Sequence, residues 1–442
     1  MKQTFSCSAC GHLASKWFGK CPECGDWSTA IAPGANGSSA GLEVVSLDEA
    51  PQDAERAPTG IDEIDRVLGG GLVRGSAVLL AGEPGIGKST LTLQLVAALA
   101  HRACRTLLVS GEESVAQIGG RAKRLGISSS QLQIATSGSI DAVIATSISA
   151  SLDILVVDSI QTLADDRLEQ PPGSMVQVRE CAAALARHAK STGTTVILVG
   201  HVTKEGSVAG PKTLEHVVDV VLSLEGERGG TLRLLRSAKN RYGATDETGV
   251  FVMSTDGLDP VGDPSAFLLA DRRPGVAGSV VFPGMEGTRP LLVEVQALVD
   301  ESKIPQPRRV AIGLDGRRLS LLAAVMSQTG LSLGASDVFV AAAGGLDVRE
   351  PAADLAMCLA LFSAITKSPI GERAVAVGEV GLSGEVRRVP AIARRLSEAR
   401  RLGFDTAFVP FGFDEHVKGL KLIRVPDIAA AFQQARGAAT HV

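Results

Sequence analysis

Aromatic residues are scarce. They make up 3% of 442 residues, with one Tyr and two Trp, so a platform for stacking single-stranded bases would need the few Phe rings or Arg planes. Charge of one sign is not in surplus either. The formal net charge is −4, which excludes a chain that is basic throughout, and contact with nucleic acid must come from local cationic clusters. Long hydrophobic runs are missing. The most apolar stretches are broken by Asp, Ser or Gly well short of the ~20 residues that a membrane span needs, and the opening MKQTFSCSAC lacks the apolar segment of a secretory signal. Cysteine is sparse outside one cluster: of seven, four fall within the first 24 residues, while Cys104, Cys181 and Cys358 stand singly in apolar contexts. The expectation is a cytoplasmic protein with reduced thiols and no membrane partner.

What is present is ordinary for a globular chain, and its length exceeds one hydrophobic core, so about three domains are expected. Residues 1–30 read as a Cys-rich module and 31–55 as a linker, with the Pro/Gly/Ser-rich stretch APGANGSSAG at 32–41. Over 56–270, the strand patterns SAVLLAG, RTLLVSG, LDILVVD, TTVILVG, DVVLSLEG and TLRLLRS appear. They alternate with the helical patterns STLTLQLVAALAH, ESVAQIGGRAKRLG and MVQVRECAAALARHAK. That alternation predicts an α/β core around a central, mainly parallel sheet. Over 271–442 a second pattern begins, with helix-like PAADLAMCLALFSAITK and strand-like RAVAVGEVGLSGEVRRV, and it predicts an α+β domain.

Cys7-Ser-Ala-Cys10 and Cys21-Pro-Glu-Cys24 form two C-x-x-C knuckles. Four thiolates so spaced close a tetrahedral shell around Zn²⁺, and a segment this short needs the metal to fold. With no open position the zinc is expected to be structural, and nearby His12 a bystander. Disulfides or a redox pair are the competing reading.

Gly82-Glu83-Pro84-Gly85-Ile86-Gly87-Lys88-Ser89 fits the phosphate-binding loop G-x-x-x-x-G-K-[ST], follows the strand SAVLLAG and opens a helix with Thr90. Backbone N–H groups there cradle the phosphates of ATP, Lys88 reaches the β- and γ-phosphates, and Ser89 ligates Mg²⁺. Asp158 ends LDILVVD, where a carboxylate can hold the same Mg²⁺. Glu112 and Glu113 end RTLLVSG; Glu112 is the expected catalytic base and Glu113 a solvated first-turn residue. His201 ends TTVILVG, either as a sensor of the γ-phosphate or as a hydrogen-bonded edge histidine. The following segment, 201–219, carries Lys204 and Lys212 and reads either as a mobile loop facing a moved substrate or as a surface connection.

Downstream, Lys239-Asn240-Arg241-Tyr242-Gly243 closes a strand that also carries Arg236. Taken alone, this KNRYG stretch is a solvated turn, a nucleic-acid contact or a catalytic element. Lys239 and Arg241 share a face if the segment is extended.

The order of these pieces resembles a known family. TGIDEIDRVLGGGLVRGSAVLLAGEPGIGKSTL is similar to the entry of a RecA/DnaB-type ATPase core. With the four-Cys module before it, KNRYG after it and a Lon-protease-like C-terminal domain, the whole chain resembles the bacterial RadA (Sms) family. The resemblance implies an ATP-driven, DNA-binding motor of recombinational DNA repair and the DNA-damage stress response. It also implies binding of single-stranded and branched DNA, branch migration alongside a RecA-type recombinase, and assembly as a hexameric ring. The family's pentapeptide is usually KNRFG; Tyr242 keeps the ring and adds a hydroxyl. By likeness to DnaB-type rings, Lys239 and Arg241 are expected to act on a neighbour's nucleotide in trans, with DNA contact as the competing role. Alignment with Lon proteases puts Ala352 at the nucleophilic Ser and Ala393 at the Lys of the dyad, so no peptidase is expected. Ser363 and Lys367 lie too far from the motif to replace them. Arg308-Arg309, Arg317-Arg318, Arg387-Arg388 and Arg394-Arg395 suggest a nucleic-acid face, or simply solvated charge. Competing readings of the whole are a KaiC-like signalling ATPase and an ATP-dependent protease.

Overall fold

The computed structural model describes residues 5–7, 12–14, 16–27, 29–31, 46, 55–129, 131–201, 211–226 and 230–439. It divides into two compact units, Met1–Asp53 and Ala54–Val442. In the first, Phe5–Cys7 is the middle strand of a small antiparallel sheet between Leu13–Ala14 and Ala30–Ile31.

The second unit holds two large sheets. The first contains β1 (Ala77–Gly82), β2 (Thr106–Ser110), β3 (Leu132–Thr136), β4 (Ile154–Asp158), β5 (Thr195–His201), β6 (Val220–Glu225), β7 (Leu232–Asn240), β8 (Thr248–Ser254) and β9 (Gly257–Pro260). Their order is β9-β8-β7-β6-β1-β5-β4-β2-β3. From β6 to β3 every pairing is parallel, and β7, β8 and β9 are added antiparallel. Alternate side chains of the central strands feed two cores. Val78 and Leu80 pack with Leu91, Leu95 and Leu99 of the helix Lys88–His101. Ala77 and Leu79 pack with Val178, Cys181 and Leu185 of the helix Met175–Thr192. Burial on both faces explains why these strands read as continuous apolar runs. It also pushes the Cys181 thiol up to about 11, so that thiol stays protonated and inert.

The edge strand β3, the helix Ile140–Ser149 and the antiparallel strands β8 and β9 go beyond the elements expected from sequence. In β3 no residue is fully buried, so LQIAT carries little apolar signal.

The second sheet comprises β10 (Ser279–Glu286), β11 (Arg289–Glu301), β12 (Arg309–Ile312), β13 (Ser336–Ala342), β14 (Ala374–Ala376), β15 (Thr406–Pro410) and β16 (Lys421–Val425). Its order is β12-β13-β11-β10-β14-β15-β16. The helix Asp354–Thr366 lies in its core, buried from Asp354 through Ser363, and Phe362 stacks on Phe432 of the helix Ile428–Ala439 with centroids 4.6 Å apart. RAVAVGEVGLSGEVRRV is not one strand. After β14 the chain leaves the sheet and forms a separate hairpin of Glu379–Val380 and Val386–Arg387.

The two sheets are joined by shared packing. Leu232, Leu234 and Val250 belong to the same apolar cluster as Phe282, Leu291 and Val293. Glu63, in the helix Asp62–Leu68, pairs with Arg289 of β11 in a buried ion pair. Arg236 bridges Glu225 and Glu286 across the same junction, so it is an inter-sheet tie and not part of a cationic turn. Among the described residues no helix is long and apolar enough to cross a membrane.

Candidate active site

The parallel register brings the carboxyl ends of β1, β2, β4 and β5 to one edge, with His201 opposite Gly82 and Ser110 opposite Asp158. Ligands of open α/β sheets bind at this edge. The phosphate loop leaves β1 there and enters the helix Lys88–His101 through Gly87, whose φ of 116° only glycine adopts readily. Lys88 is 3% exposed. Its Nζ donates to the carbonyls of Gly82 (2.9 Å) and Glu83 (3.0 Å). Burial holds its pKa below the usual lysine value, with the negative charge of Asp158 and Glu112 opposing. The Ser89 hydroxyl faces the Asp158 carboxylate, whose own pKa burial pushes up. A hydroxyl and a carboxylate facing each other beside the loop suit a hard divalent cation.

Glu112 is held by two donors. Ser159 Oγ lies 2.6 Å from its carboxylate and His201 Nε2 lies 3.2 Å from it. Burial alone would push the Glu112 carboxyl up, but these hydrogen bonds and the positive charge of Lys88 hold it below its ordinary value. Gly111 permits the close approach of the two loops, because a Cβ there would fall 2.0 Å from Thr162 Oγ1. Glu113 differs from the sequence expectation. It precedes the N-cap Ser114 and pairs with Arg121, so it braces its own helix and is not a solvated first-turn residue. His201 Nδ1 is buried with no partner among the described residues.

Sequence reasoning missed two contributors to this region. Ser159 follows Asp158 as an ordinary small residue, yet it is fully buried and orients Glu112. Arg233, at the start of β7, reaches the phosphate loop: its Nε donates to the Ile86 carbonyl at 3.1 Å and its Nη1 to the carbonyls of Gly230 and Leu232 at 2.7 Å each. The alternation TLRLLRS could have singled it out, since Arg233 occupies the same inward face as Leu235.

The KNRYG turn lies at the opposite edge. Leu224 stands opposite Gly82 and Val220 opposite Val78, while Asn240 stands opposite Val220. The turn is therefore separated from its own phosphate loop by the length of β1, roughly 17 Å at about 3.3 Å per residue. Lys239 Nζ donates to the carbonyls of Glu215 and Val218. Arg241 pairs with the buried carboxylate of Asp219 at 3.0 Å. Asn240 accepts the Tyr242 N–H at 3.0 Å, and Arg56 donates to the Tyr242 carbonyl. Gly243 is exposed. Lys212 lies in the short helix Pro211–Leu214, and Lys204 lies outside the described residues.

In the second domain Ala352 is buried in the turn Pro351–Ala353, and Ala393 packs from the helix Ile392–Arg401 onto the apolar core. These two segments are tied together by Arg395 and Glu350, at 2.6 and 3.0 Å. Arg395 also donates to the Pro283 carbonyl and Glu350 accepts the Met285 N–H, each at 2.9 Å. Ser363 is spent on the Gly278 N–H and the Ser368 carbonyl. The arginine pairs divide in the same way. Arg318 pairs with buried Asp354, Arg309 donates to the carbonyls of Ser336 and Leu333, and Arg395 is internal. Arg387 and Arg388 pair with Glu385 and Asp414. Among the described residues, Arg308, Arg317 and Arg394 are the exposed members of the eight that form no salt bridge.

In the first unit the sulfurs of Cys7, Cys21 and Cys24 lie within 4.8 Å of one another, and Cys10 lies outside the described residues. Cys7 and Cys24 sulfurs are 3.7 Å apart. That is far beyond a disulfide bond of about 2.05 Å, and it matches the edge of a tetrahedron with metal–sulfur distances of about 2.3 Å. His12 is not in the cluster; it faces Glu23 at 3.8 Å.

Comparison with known proteins agrees with this architecture. The chain matches the AAA domain over residues 46–207, the rubredoxin metal binding domain over 5–30 and the Lon protease (S16) C-terminal proteolytic domain over 327–427. It is 48% identical over 430 residues to DNA repair protein RadA of Brucella abortus (strain 2308), covering 93% of this chain and 92% of that protein. It is 47% identical over 448 residues to the Pseudomonas aeruginosa protein of the same name, covering 97% and 98%. With DNA repair protein RadA of Bacillus subtilis (strain 168) it shares 43% over 455 residues, covering 99% of each. A phosphate-loop ATPase core between a cysteine cluster and a Lon-like domain, matched along nearly its whole length, places this chain in the DNA repair protein RadA family.

Proposed function

We propose that the chain is a DNA-dependent ATPase that drives branch migration in recombinational repair. The observation that carries this reading is the division of labour between the two sheet edges. Lys88, the Ser89–Asp158 pair and the Ser159–Glu112–His201 network converge at one, and the cationic KNRYG turn occupies the other. The name of the relatives supports DNA as the partner.

In this reading Gly82 through Thr90 cradle the phosphates of ATP, and Lys88 contacts the β- and γ-phosphates. Ser89 and Asp158 hold Mg²⁺, which neutralises phosphate charge. Glu112 positions and deprotonates the attacking water, its carboxylate kept ionised by Ser159 and His201. A turn 17 Å or so from its own loop cannot serve its own nucleotide, which favours Lys239 and Arg241 acting in trans on a neighbour's within a hexameric ring. Half-exposed Arg241 also suits a DNA phosphate, with Asn240, Tyr242 and Gly243 beside it in the turn, and Lys204 and Lys212 are proposed as further DNA contacts on their charge alone. The limits are a zinc module at 1–30 with Cys7, Cys10, Cys21 and Cys24 as ligands, a linker at 31–55, the ATPase core at 56–270, and a non-proteolytic platform at 271–442. Single-stranded and branched DNA and a RecA-type recombinase are its partners, in the cytoplasm.

The test is steady-state ATP hydrolysis with and without single-stranded DNA, with casein cleavage measured alongside. Several-fold stimulation by DNA is expected, and none of the casein is cut. Turnover indifferent to DNA would refute the motor, and casein cleavage would overturn the non-proteolytic platform.

A further inference from the structure

The KNRYG turn is anchored by a residue outside it. Asp219 precedes β6 and is 2% exposed. One carboxylate oxygen accepts the Ala77 N–H at 3.1 Å, at the root of the strand that ends in the phosphate loop. The other accepts Arg241 Nη1 at 3.0 Å and stands 3.7 Å from Lys190 Nζ, on the helix Met175–Thr192. The Tyr242 hydroxyl faces the same carboxylate. Backbone contacts complete the junction: the Asp219 N–H donates to the Ala77 carbonyl at 2.9 Å, and the Arg241 N–H to the Asp219 carbonyl at 3.1 Å.

A buried carboxylate persists only where donors compensate its lost hydration. Here the donors come from β1, from the turn and from a helix, so one side chain fixes all three relative to each other. The two cations of the turn are used differently. Lys239 has three N–H donors and gives two to backbone carbonyls. Arg241 has five and gives one side-chain donor to Asp219, while 49% of its side chain is exposed. Its remaining fork is oriented by Asp219 and available to an external phosphate.

We infer that Asp219 is the positioning residue of the KNRYG element: with the Tyr242 hydroxyl it aims Arg241 outward and fastens it to the root of the phosphate-loop strand. Lys190, 57% exposed on the same carboxylate, stands beside Arg241 as a second cation. Sequence gave no hint of either residue, because an Asp before a strand and a Lys in the last turn of a helix are ordinary positions. This inference rests on the reading that Arg241 contacts a phosphate during turnover.

The test is a double-mutant cycle on kcat and KM for ATP in the full chain, with single-stranded DNA present. Its variants are Asp219→Asn, Tyr242→Phe, Arg241→Ala and each pair with Arg241→Ala. Arg241→Ala should lower kcat by about a hundredfold or more. Asp219→Asn should lower it roughly tenfold and Tyr242→Phe severalfold, with KM for ATP unchanged. In the Arg241→Ala background neither should lower it further, since a positioning residue has nothing left to position. A purely structural role would instead give multiplying losses, and that result would overturn the inference while leaving the role of Arg241 standing. If Arg241→Ala alone left kcat unchanged, the reading beneath it would fall too. Should Asp219→Asn fail to fold, the Tyr242→Phe cycle decides by the same criterion.

Discussion

Replacing Arg289 by Met is expected to destabilise the Ala54–Val442 unit by about 3–5 kcal/mol, the range found when one partner of a buried ion pair is removed. Glu63 is 1% and Arg289 8% exposed, so solvent cannot fill the gap. After the substitution the Glu63 carboxylate keeps the Val250 N–H at 2.7 Å. Among the described residues its only other ion-pair partner is Arg66, 3.7 Å away and 43% exposed. The reverse change, Glu63→Gln, is gentler. Arg289 retains the carbonyls of Thr248 (3.1 Å), Val261 (3.4 Å) and Gly262 (3.3 Å), so the expected cost is that of one charged hydrogen bond, about 1.5–3 kcal/mol. The double variant should be more stable than Arg289→Met alone, because it no longer buries an unmatched charge. Urea unfolding followed by far-UV circular dichroism suits the measurement. Tryptophan fluorescence does not, since Trp17 and Trp27 both lie in the other unit. The reasoning fails if Arg289→Met costs less than about 1 kcal/mol, or if Glu63→Gln costs as much as Arg289→Met.

Lys88→Ala should abolish ATP hydrolysis without changing the circular dichroism spectrum, and normal turnover would refute the phosphate-loop assignment. Cys7→Ser should lose bound zinc by elemental analysis; unchanged metal content would refute the thiolate site. Ser159→Ala removes a donor that favours the charged form of Glu112, so the Glu112 pKa must rise. The acid limb of the pH–turnover profile should then move to higher pH, an effect that solvent screens in part because 44% of the Glu112 side chain is exposed. A limb that stays in place would show that Glu112 does not set it.

The parts legible in the sequence were those with a period or a motif. Strands buried on both faces announced themselves as apolar runs, and the phosphate loop as spaced glycines before Lys88. The half-exposed β3 and the four-residue β9 did not, since short strands with little apolar pattern resemble loops. Arginine pairs read as surface charge, whereas Arg318 and Arg395 are partners of Asp354 and Glu350, acids 36 and 45 residues away along the chain. Asp219 was illegible for the same reason. Its meaning comes from Ala77, Lys190 and Arg241, which only the sheet register brings together.

The strand Leu232–Asn240 has unlike ends. Arg233 grips the loop that holds its own nucleotide, and the other end runs into the turn proposed to reach a neighbour's. In a closed ring, identical copies would therefore be coupled like railway wagons, each with a hook in front and an eye behind. Such a train can be pulled from one side only. Hydrolysis in one subunit would be felt by a single neighbour, and the order of firing around the ring would be written into the direction of one backbone segment.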